Sequence, residues 1–273
     1  MNMLAVIAAR NESLHIGRCI RSLTHQGFEV VLIDHDSSDG TRNIAEAYLG
    51  NGLLKIIDLA WEGYFSLEKQ LSTKKLIIDE CKHEWVAHFD ADEWPVASDQ
   101  FCSLHCMAEE ANNTGYSVIN FNEFVFLPLP KENFEHFGYE SRMNHYYFFE
   151  PSYPRLQRMW QRSLDVSNIT HGGHRLSGDV AKLFPFDGIL RHYIALSESH
   201  AIDKYANRIF ADHELKRGWH SNRVNITEDT IKHYFEGNIN YHSRLNALSN
   251  PLKNSFDKSK PQKLHFWEWP SGE

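Results

Sequence analysis

The chain has 273 residues, 42% of them hydrophobic, and a formal charge of -8. That length allows one large domain or one domain with an elaborated tail, and the acidic balance argues against a nucleic-acid backbone as the main partner. The four cysteines, Cys19, Cys81, Cys102 and Cys106, make no paired framework at this length and fit free thiols in a reducing compartment.

Residues 3–9 read as a buried strand. Ile16, Cys19, Ile20 and Leu23 then recur at helical spacing, and Gly27 breaks the pattern before a second strand near 29–34. Ser38 or Asp39 can cap a second helix with Ile44, Ala45 and Tyr48 on its apolar face. After Gly50 and Gly52, "LLKIIDL" supplies a third strand. Ser66 caps a third helix that reaches about Cys81 with Leu67, Leu71 and Ile78 facing inward, and "EWVAHFD" is the next strand. This alternation over about ninety residues is the signature of a parallel α/β sheet.

Beyond Pro95 the pattern loosens. Ser98 can cap a helix bearing Phe101, Leu104 and Ala108, and "YSVINFNEFVFLP" is a long strand on which Glu123 shares a face with Ile119, Phe121, Val125 and Leu127. Residues 128–155 show no clear period and read as a large loop, of the kind that is functional or mobile. Short strands fit 156–194, around "HGGHRLSG". From about Ser199 the pattern is helical, and the aromatic end "HFWEWPSGE" is expected to dock on the body.

Three apolar runs each end in an acidic cluster: "MLAVIAARNES", "EVVLIDHDSSDGT" and "EWVAHFDADEW". With parallel strands, all three clusters fall at the carboxyl edge of one sheet, where open α/β sheets bind ligands. In extended chain, residues i and i+2 point to the same side, so Asp90 and Asp92 can face one cation. Mg²⁺ or Mn²⁺ is commonly held by one or two carboxylates plus substrate phosphates. A solvated acidic turn is the competing reading, and the position at a buried strand end favours the metal. The chain has no Gly-rich phosphate loop and no H-E-x-x-H helix.

In this order, "AVIAARNES", "LIDHDSSDGT" and "HFDADEW" resemble the family 2 glycosyltransferases, in particular bacterial members with an Asp-x-Asp-Glu-aromatic motif. "LRHYIALSESHAIDKYANR" and "KRGWHSNR" resemble the tail of that subset. The resemblance implies a GT-A type, Rossmann-like mixed but mainly parallel sheet flanked by helices, with a helical C-terminal tail. It implies a catalytic domain over 1–198, with a nucleotide-binding half over 1–94 and an acceptor-side half over 95–198, and an extension over 199–273 packed on it. Ala9, Arg10, Asn11 and Glu12 would border the base and ribose of a nucleotide-sugar donor. Asp34 would contact the nucleoside, with His35 and Asp36 in place of the commoner Asp-Gly or Asn-Gly pair. Asp90 and Asp92 would hold Mn²⁺ or Mg²⁺ against the diphosphate. His174 or His192 would be a third metal ligand.

An inverting transfer needs a base for the acceptor hydroxyl, and the Glu-Asp pair that many members use is not at its usual place. Glu123 is the first candidate, because a carboxylate on an apolar strand face gains basicity unless it is paired. An ion pair with Arg158 or Arg162 is the alternative. Asp179 and Asp187 are further candidates, each also readable as a turn residue. A zinc site from Cys102, His105 and Cys106 lacks a fourth ligand. Arg191, Lys204, Arg208, Lys216 and Arg217 form a basic region that offers diphosphate or acceptor contacts or simply solvated helix faces. Trp219 and His220 read as a pocket wall or a packing unit.

The expected function is metal-dependent transfer of a sugar from a nucleotide-diphosphate sugar to a glycan or glycolipid hydroxyl in cell-surface glycan synthesis. A nucleotide phosphohydrolase and a non-catalytic sugar-nucleotide binding protein are the alternatives. No apolar stretch reaches the roughly 18 residues of a membrane-spanning helix, and the N-terminus lacks a basic leader. A cytoplasmic protein is expected, with a peripheral membrane contact left open.

Overall fold

A computed structural model describes residues 1–179, 181–206, 208–236 and 241–269. Its elements run β1 (Met3–Ala9), α1 (Ser13–His25), β2 (Phe28–Asp34), α2 (Thr41–Glu46), β3 (Leu53–Asp58), α3 (Leu67–Glu80), β4 (Trp85–Asp90), β5 (Glu93–Val96), α4 (Leu104–Asn113) and β6 (Val118–Phe126). They continue with β7 (His145–Phe149), β8 (Leu156–Gln161), β9 (Val166–Ser167), β10 (Ser177–Gly178), β11 (Gly188–Tyr193), α5 (Glu198–Tyr205), α6 (Asp212–Lys216), α7 (Glu228–Phe235) and β12 (Asn246–Ala247). The chain divides into two compact units. The first holds Met1–Glu62, Ser66–Asn122 and Pro154–Leu190, and the second holds Gly63–Phe65, Glu123–Tyr153 and the chain from Arg191 on.

In the first unit β3, β2, β1 and β4 lie side by side and parallel, as the strand–helix alternation and the GT-A resemblance led us to expect. Strand β8 adds antiparallel to β4, and the start of β6 adds antiparallel to β8. The central strands read as unbroken apolar runs because helices cover both of their faces. On one face, Ile16, Cys19, Ile20 and Leu23 of α1 pack with Leu104, Met107 and Ala108 of α4 against Ala5, Ile7, Leu32 and Phe89. On the other, Ile77 and Ile78 of α3 pack against Leu4, Val6, Val31, Ile33 and Val86. Each large aliphatic side chain buried this way stabilises the fold by about 1.5–3 kcal/mol.

The local start signals hold with two corrections. Ser66 caps α3, its hydroxyl accepting from the Lys69 amide at 3.3 Å. Helix α2 starts at Thr41 with Gly40 as its N-cap, one residue later than a cap at Asp39 and two later than a cap at Ser38 would set it; Asp39 instead accepts from the amides of Gly40 and Thr41 at 3.0 and 2.9 Å. Helix α4 is capped by Ser103, whose hydroxyl accepts from the Cys106 amide at 3.1 Å. Ser98 makes a separate turn, its carbonyl accepting from the Phe101 amide. Cys102 and Cys106 stand as a disulfide pair across this cap. The expectation of four free thiols is therefore corrected to two, Cys19 and Cys81, and the zinc alternative loses both of its sulfurs.

In the second unit β7 pairs antiparallel with the later half of β6, from Glu123↔Phe149 to Phe126↔Tyr146, and β12 pairs antiparallel with β7. The stretch expected to be a loop thus contains a strand. Tyr146, Tyr147, Phe148 and Phe149 are all buried, so no polar/apolar alternation marks it. The core of this unit joins Val125, Tyr147, Ile194, Tyr205, Ile231 and Tyr234 to Phe266 and Trp269 of the aromatic end. Pro270–Glu273 of that end lie outside the described residues. Among the described residues no helix is long and apolar enough to cross a membrane.

Candidate active site

The register of the first unit's sheet decides what its edge can bind. Ala8 of β1 pairs with Asp90 of β4, Ala9 with Asp34 of β2, and Asp34 with Asp58 of β3. Parallel neighbours are about 4.8 Å apart, so Asp90 beside Ala8, and Ala9 beside Asp34 and then Asp58, line up along the carboxyl edge. The loop after β1 is laced to the loop after β2. The Ala9 carbonyl accepts from the His35 amide at 2.8 Å. The Asn11 amide donates to Ser37 Oγ at 3.1 Å, and the Ser38 amide donates to Asn11 Oδ1 at 2.8 Å. The Glu12 amide donates to Thr41 Oγ1 at 2.7 Å, and the Ser13 amide to Asp39 Oδ2 at 3.0 Å. Asn11 and Asp36 take φ of 55° and 56°, a left-handed conformation that Asn and Asp tolerate best among residues with a Cβ.

Arg10 donates to the carbonyls of His35, at 2.8 Å, and Asp36. Its guanidinium lies 4.0 Å over the Trp61 ring. His35 is buried, meets Trp61 edge-on and shares a 3.0 Å hydrogen bond with Gln70 of α3. Burial first, then the charges of Arg10 and Lys69, push its imidazole below the ordinary histidine range. His35 therefore backs the Arg10–Trp61 stack as a neutral ring. Asp34 accepts from the Ser37 amide at 3.2 Å, and Arg42 stands 3.5 Å from its other oxygen. Asp36 is exposed. The candidates Ala9, Arg10, Asn11, Glu12, Asp34, His35 and Asp36 thus share one pair of loops.

Asp90 ends β4 with 46% of its side chain exposed. Lys74 Nζ is 3.2 Å from its Oδ1, and Arg158 is 3.7 Å from its Oδ2. Partial burial opposes the charge and Asp92 adds like-charge repulsion, yet Lys74 and Arg158 outweigh both and hold the carboxyl below the usual aspartate range. Asp90 is accordingly ionised at neutral pH. Asp92 is buried, and its charge acts on Asp90 and on Cys19, whose thiol burial pushes up to about 12. Glu93 is the brace of this turn. Its side chain is 2% exposed; one oxygen accepts from Arg158 at 2.9 Å and the other from the Asp90 amide at 2.8 Å. Arg18 of α1 donates to the Ala91 and Glu93 carbonyls, both at 2.8 Å.

Arg158 also reaches His88 Nε2 at 2.8 Å, and that nitrogen lies 2.9 Å from the Gly173 carbonyl. Burial, then Arg158 and Lys74, drive the His88 pKa well down. Gly173 has φ +84°, and a Cβ there would stand 3.2 Å from His88 and from Leu71. The second glycine of "HGGH" therefore serves close approach of backbone to the network behind Asp90. His174 follows them, half-buried, its carbonyl accepting from the Gln157 amide. Asp179 is exposed on the β9–β10 ribbon and accepts from the Asp165 amide at 2.9 Å. Asp187 accepts from Asn120 Nδ2 at 3.0 Å.

Glu123 and His192 belong to the second unit and form a pair, Oε1 to Nδ1 at 2.7 Å, with 4% and 14% of their side chains exposed. Arg191 is buried, its guanidinium 4.8 Å over the Phe126 ring. His220 bonds Glu214 at 2.8 Å and stacks on Phe210 at 4.4 Å, which makes it a packing unit. Glu93, which extends the acidic cluster in the sequence as a residue to orient a ligand or the loop, braces the turn, whereas Lys74, Arg158, Trp61 and Gln70 do not stand out from the sequence as site residues. A signal existed for two of them: Gln70 and Lys74 fall on the stripe with Leu67, Leu71 and Ile78, where a buried polar group needs a partner.

An ionised, half-open carboxylate beside a second acid two residues on is a hard oxygen donor set that fits Mg²⁺ or Mn²⁺. Among the described residues, no three His, Cys, Asp or Glu side chains come together to hold an ion by themselves. A bound ion would draw its other ligands from substrate and water.

Among known proteins, the chain is 31% identical over 90 residues to the lipopolysaccharide core biosynthesis glycosyltransferase LpsC of Rhizobium meliloti, covering 33% of this chain and 31% of that protein. It is 37% identical over 89 residues to an uncharacterized glycosyltransferase of Rickettsia bellii, covering 33% and 27%. The chain thus spans about a third of the length of the curated relatives it matches. A crystal structure of S. aureus TarS 1–349 in complex with UDP aligns over 89% of this chain and 72% of that one, at 13% identity and a TM-score of 0.45. The model of the family described as "Glycosyl transferase family 2" matches residues 4–150, more than half of the chain, and the chain belongs to that family.

Proposed function

We propose that this chain transfers a sugar from a nucleotide-diphosphate sugar to an acceptor hydroxyl, with inversion and with the help of Mn²⁺ or Mg²⁺. The observation that carries the reading is that Asp90 and Asp34 flank Ala8 and Ala9 at one sheet edge, with Asp90 ionised and half open at the end of β4. The laced loops Arg10–Glu12 and Asp34–Asp36 take the nucleoside, with Arg10 and Trp61 as one wall. Asp90 and Asp92 are the residues that would hold the ion, which when bound neutralises charge on the departing diphosphate. Lys74 and Arg158 hold Asp90 as the anion. Glu93 and Arg18 fix the turn so that its carboxylates do not have to reorganise, the property that makes electrostatic stabilisation effective.

For the base that takes the acceptor proton, the candidate is the pair Glu123–His192, which lies within the second unit. A carboxylate bonded to Nδ1 holds the imidazole in one tautomer and stabilises its cation. This replaces the simpler idea of Glu123 acting alone, and it uses His192 as part of the base rather than as a metal ligand. Asp179, bonded to a ribbon amide, has the surroundings of a folding contact. Kinship with a protein named for lipopolysaccharide core biosynthesis favours a cell-surface glycan or glycolipid acceptor.

The test is turnover of a panel of sugar nucleotides, UDP-sugars first, with Mn²⁺ and with or without glycan acceptors. Acceptor-dependent release of the nucleoside diphosphate supports the proposal. Hydrolysis that ignores acceptors would favour a phosphohydrolase, and tight binding without turnover would favour a binding protein.

A further inference from the structure

The inference deepens the reading above and rests on it. Lys74 lies on the buried stripe of α3, its side chain 4% exposed, with Nζ 3.2 Å from Asp90 Oδ1 and 3.4 Å from the Phe89 carbonyl. Arg158 faces the other Asp90 oxygen at 3.7 Å while it bonds Glu93 at 2.9 Å. The carboxylate that is to meet a divalent ion therefore already carries two fixed protein cations. A bare dication approaching Asp90 meets their like charge in a partly desolvated setting, where Coulomb terms are stronger than in water. It must also compete with Lys74 for the same oxygen. Among the described residues no three acid, histidine or cysteine side chains gather to compensate.

A diphosphate inverts this balance. Its negative charges attract the incoming ion and also the two cations that opposed it. We propose that Lys74 is a positioning residue that makes metal capture conditional on a diphosphate: the site takes the ion as a metal–diphosphate unit and holds the bare ion weakly. By linkage, the ion must raise the affinity for diphosphate by the same factor as the diphosphate raises affinity for the ion. A lysine present only to support the fold would not have this effect, and removing it would not improve metal binding.

The experiment measures bare Mn²⁺ binding from the free-ion EPR signal. It measures pyrophosphate binding by equilibrium dialysis with and without Mn²⁺, corrected for the complex formed in solution. The proteins are the wild-type chain, Lys74→Met, Lys74→Gln and Asp90→Asn, each checked for a native circular dichroism spectrum. In the wild type, pyrophosphate should tighten Mn²⁺ at least tenfold. In Lys74→Met and Lys74→Gln, bare Mn²⁺ should bind about tenfold tighter than in wild type, and the coupling to pyrophosphate should shrink by a similar factor. Unchanged or weaker bare Mn²⁺ binding in a folded Lys74 variant overturns the role of Lys74, as does absence of coupling in the wild type, which needs no variant. If Asp90→Asn abolishes Mn²⁺-dependent pyrophosphate binding while the Lys74 variants leave bare Mn²⁺ affinity unmoved, only this inference falls. If Asp90→Asn leaves that binding intact, the metal reading of the site falls with it.

Discussion

Glu93→Gln tests the brace behind Asp90. Glu93 is 2% exposed and bonds Arg158 through one oxygen and the Asp90 amide through the other. The amide is isosteric and can still accept from the Asp90 N–H. Its NH₂ then faces the Arg158 guanidinium, so a charge-assisted bond becomes a donor–donor clash. Breaking a buried ion pair from one side costs about 3–5 kcal/mol. Here Asp90 keeps a carboxylate 3.7 Å from the same guanidinium, which offsets part of that loss, so about 2–3 kcal/mol remains on the scale for buried pairs. For a chain of this size that is a Tm lower by roughly 3–6 °C. The assay is a thermal melt and urea titration of Glu93→Gln, Arg158→Met and the double variant. Removing both partners should recover at least about 1 kcal/mol relative to the sum of the single effects, because the stranded cation is gone. A Glu93→Gln cost below about 0.5 kcal/mol, or strictly additive single effects, would refute the brace.

Three further outcomes follow from the same geometry. Gly173→Ala places a Cβ 3.2 Å from His88 and Leu71 at a φ of +84°; it should cost about 1–3 kcal/mol in denaturant titrations and also lower turnover, and a neutral effect would contradict the close packing. His88 is held neutral by burial beside Arg158 and Lys74, so its stabilising contribution is fully present above the unfolded-state pKa near 6.5 and is lost as pH falls below it. Stability of the wild type should drop by up to about 1.4 kcal/mol per pH unit from this group below pH ~6.5. His88→Gln should flatten that slope, and an identical pH profile in the variant would remove His88 as its source. Glu123→Gln and His192→Ala should each lower kcat by roughly 10²–10⁴-fold with KM for the donor nearly unchanged; near-normal turnover in either would eliminate the pair as the base.

The parallel half of the fold was legible because its signals are local. Each buried strand is an apolar run that stops at a polar cluster, and the register then carries Ala9, Asp34 and Asp90 to one edge. What stayed hidden depends on contacts far apart in sequence. Arg158 is invisible as a partner of Glu93 and His88 until β8 is known to run antiparallel beside β4. Lys74 shows no partner in the sequence until α3 is known to bring it to Asp90, 16 positions on. Its position on the same stripe as Leu71 and Ile78 was the clue. Strand β7 escaped because aromatic residues buried on both faces leave no alternation to read. His35 stood out as a departure from the family's usual residue pair, but its burial against Gln70 and Trp61 could not be inferred from the motif. The Glu123 carboxylate was marked by its place on an apolar strand face, whereas its partner His192 lies 69 positions away.

Calorimetric titration of UDP into Asp90→Asn and Asp92→Asn, with Mn²⁺ and with EDTA, reaches the heart of the matter. Wild-type protein should bind the nucleotide much more tightly with Mn²⁺, and both variants should lose that metal-dependent gain while keeping a native circular dichroism spectrum. Undiminished Mn²⁺-dependent binding in both variants would contradict the assignment of this sheet edge as the donor site.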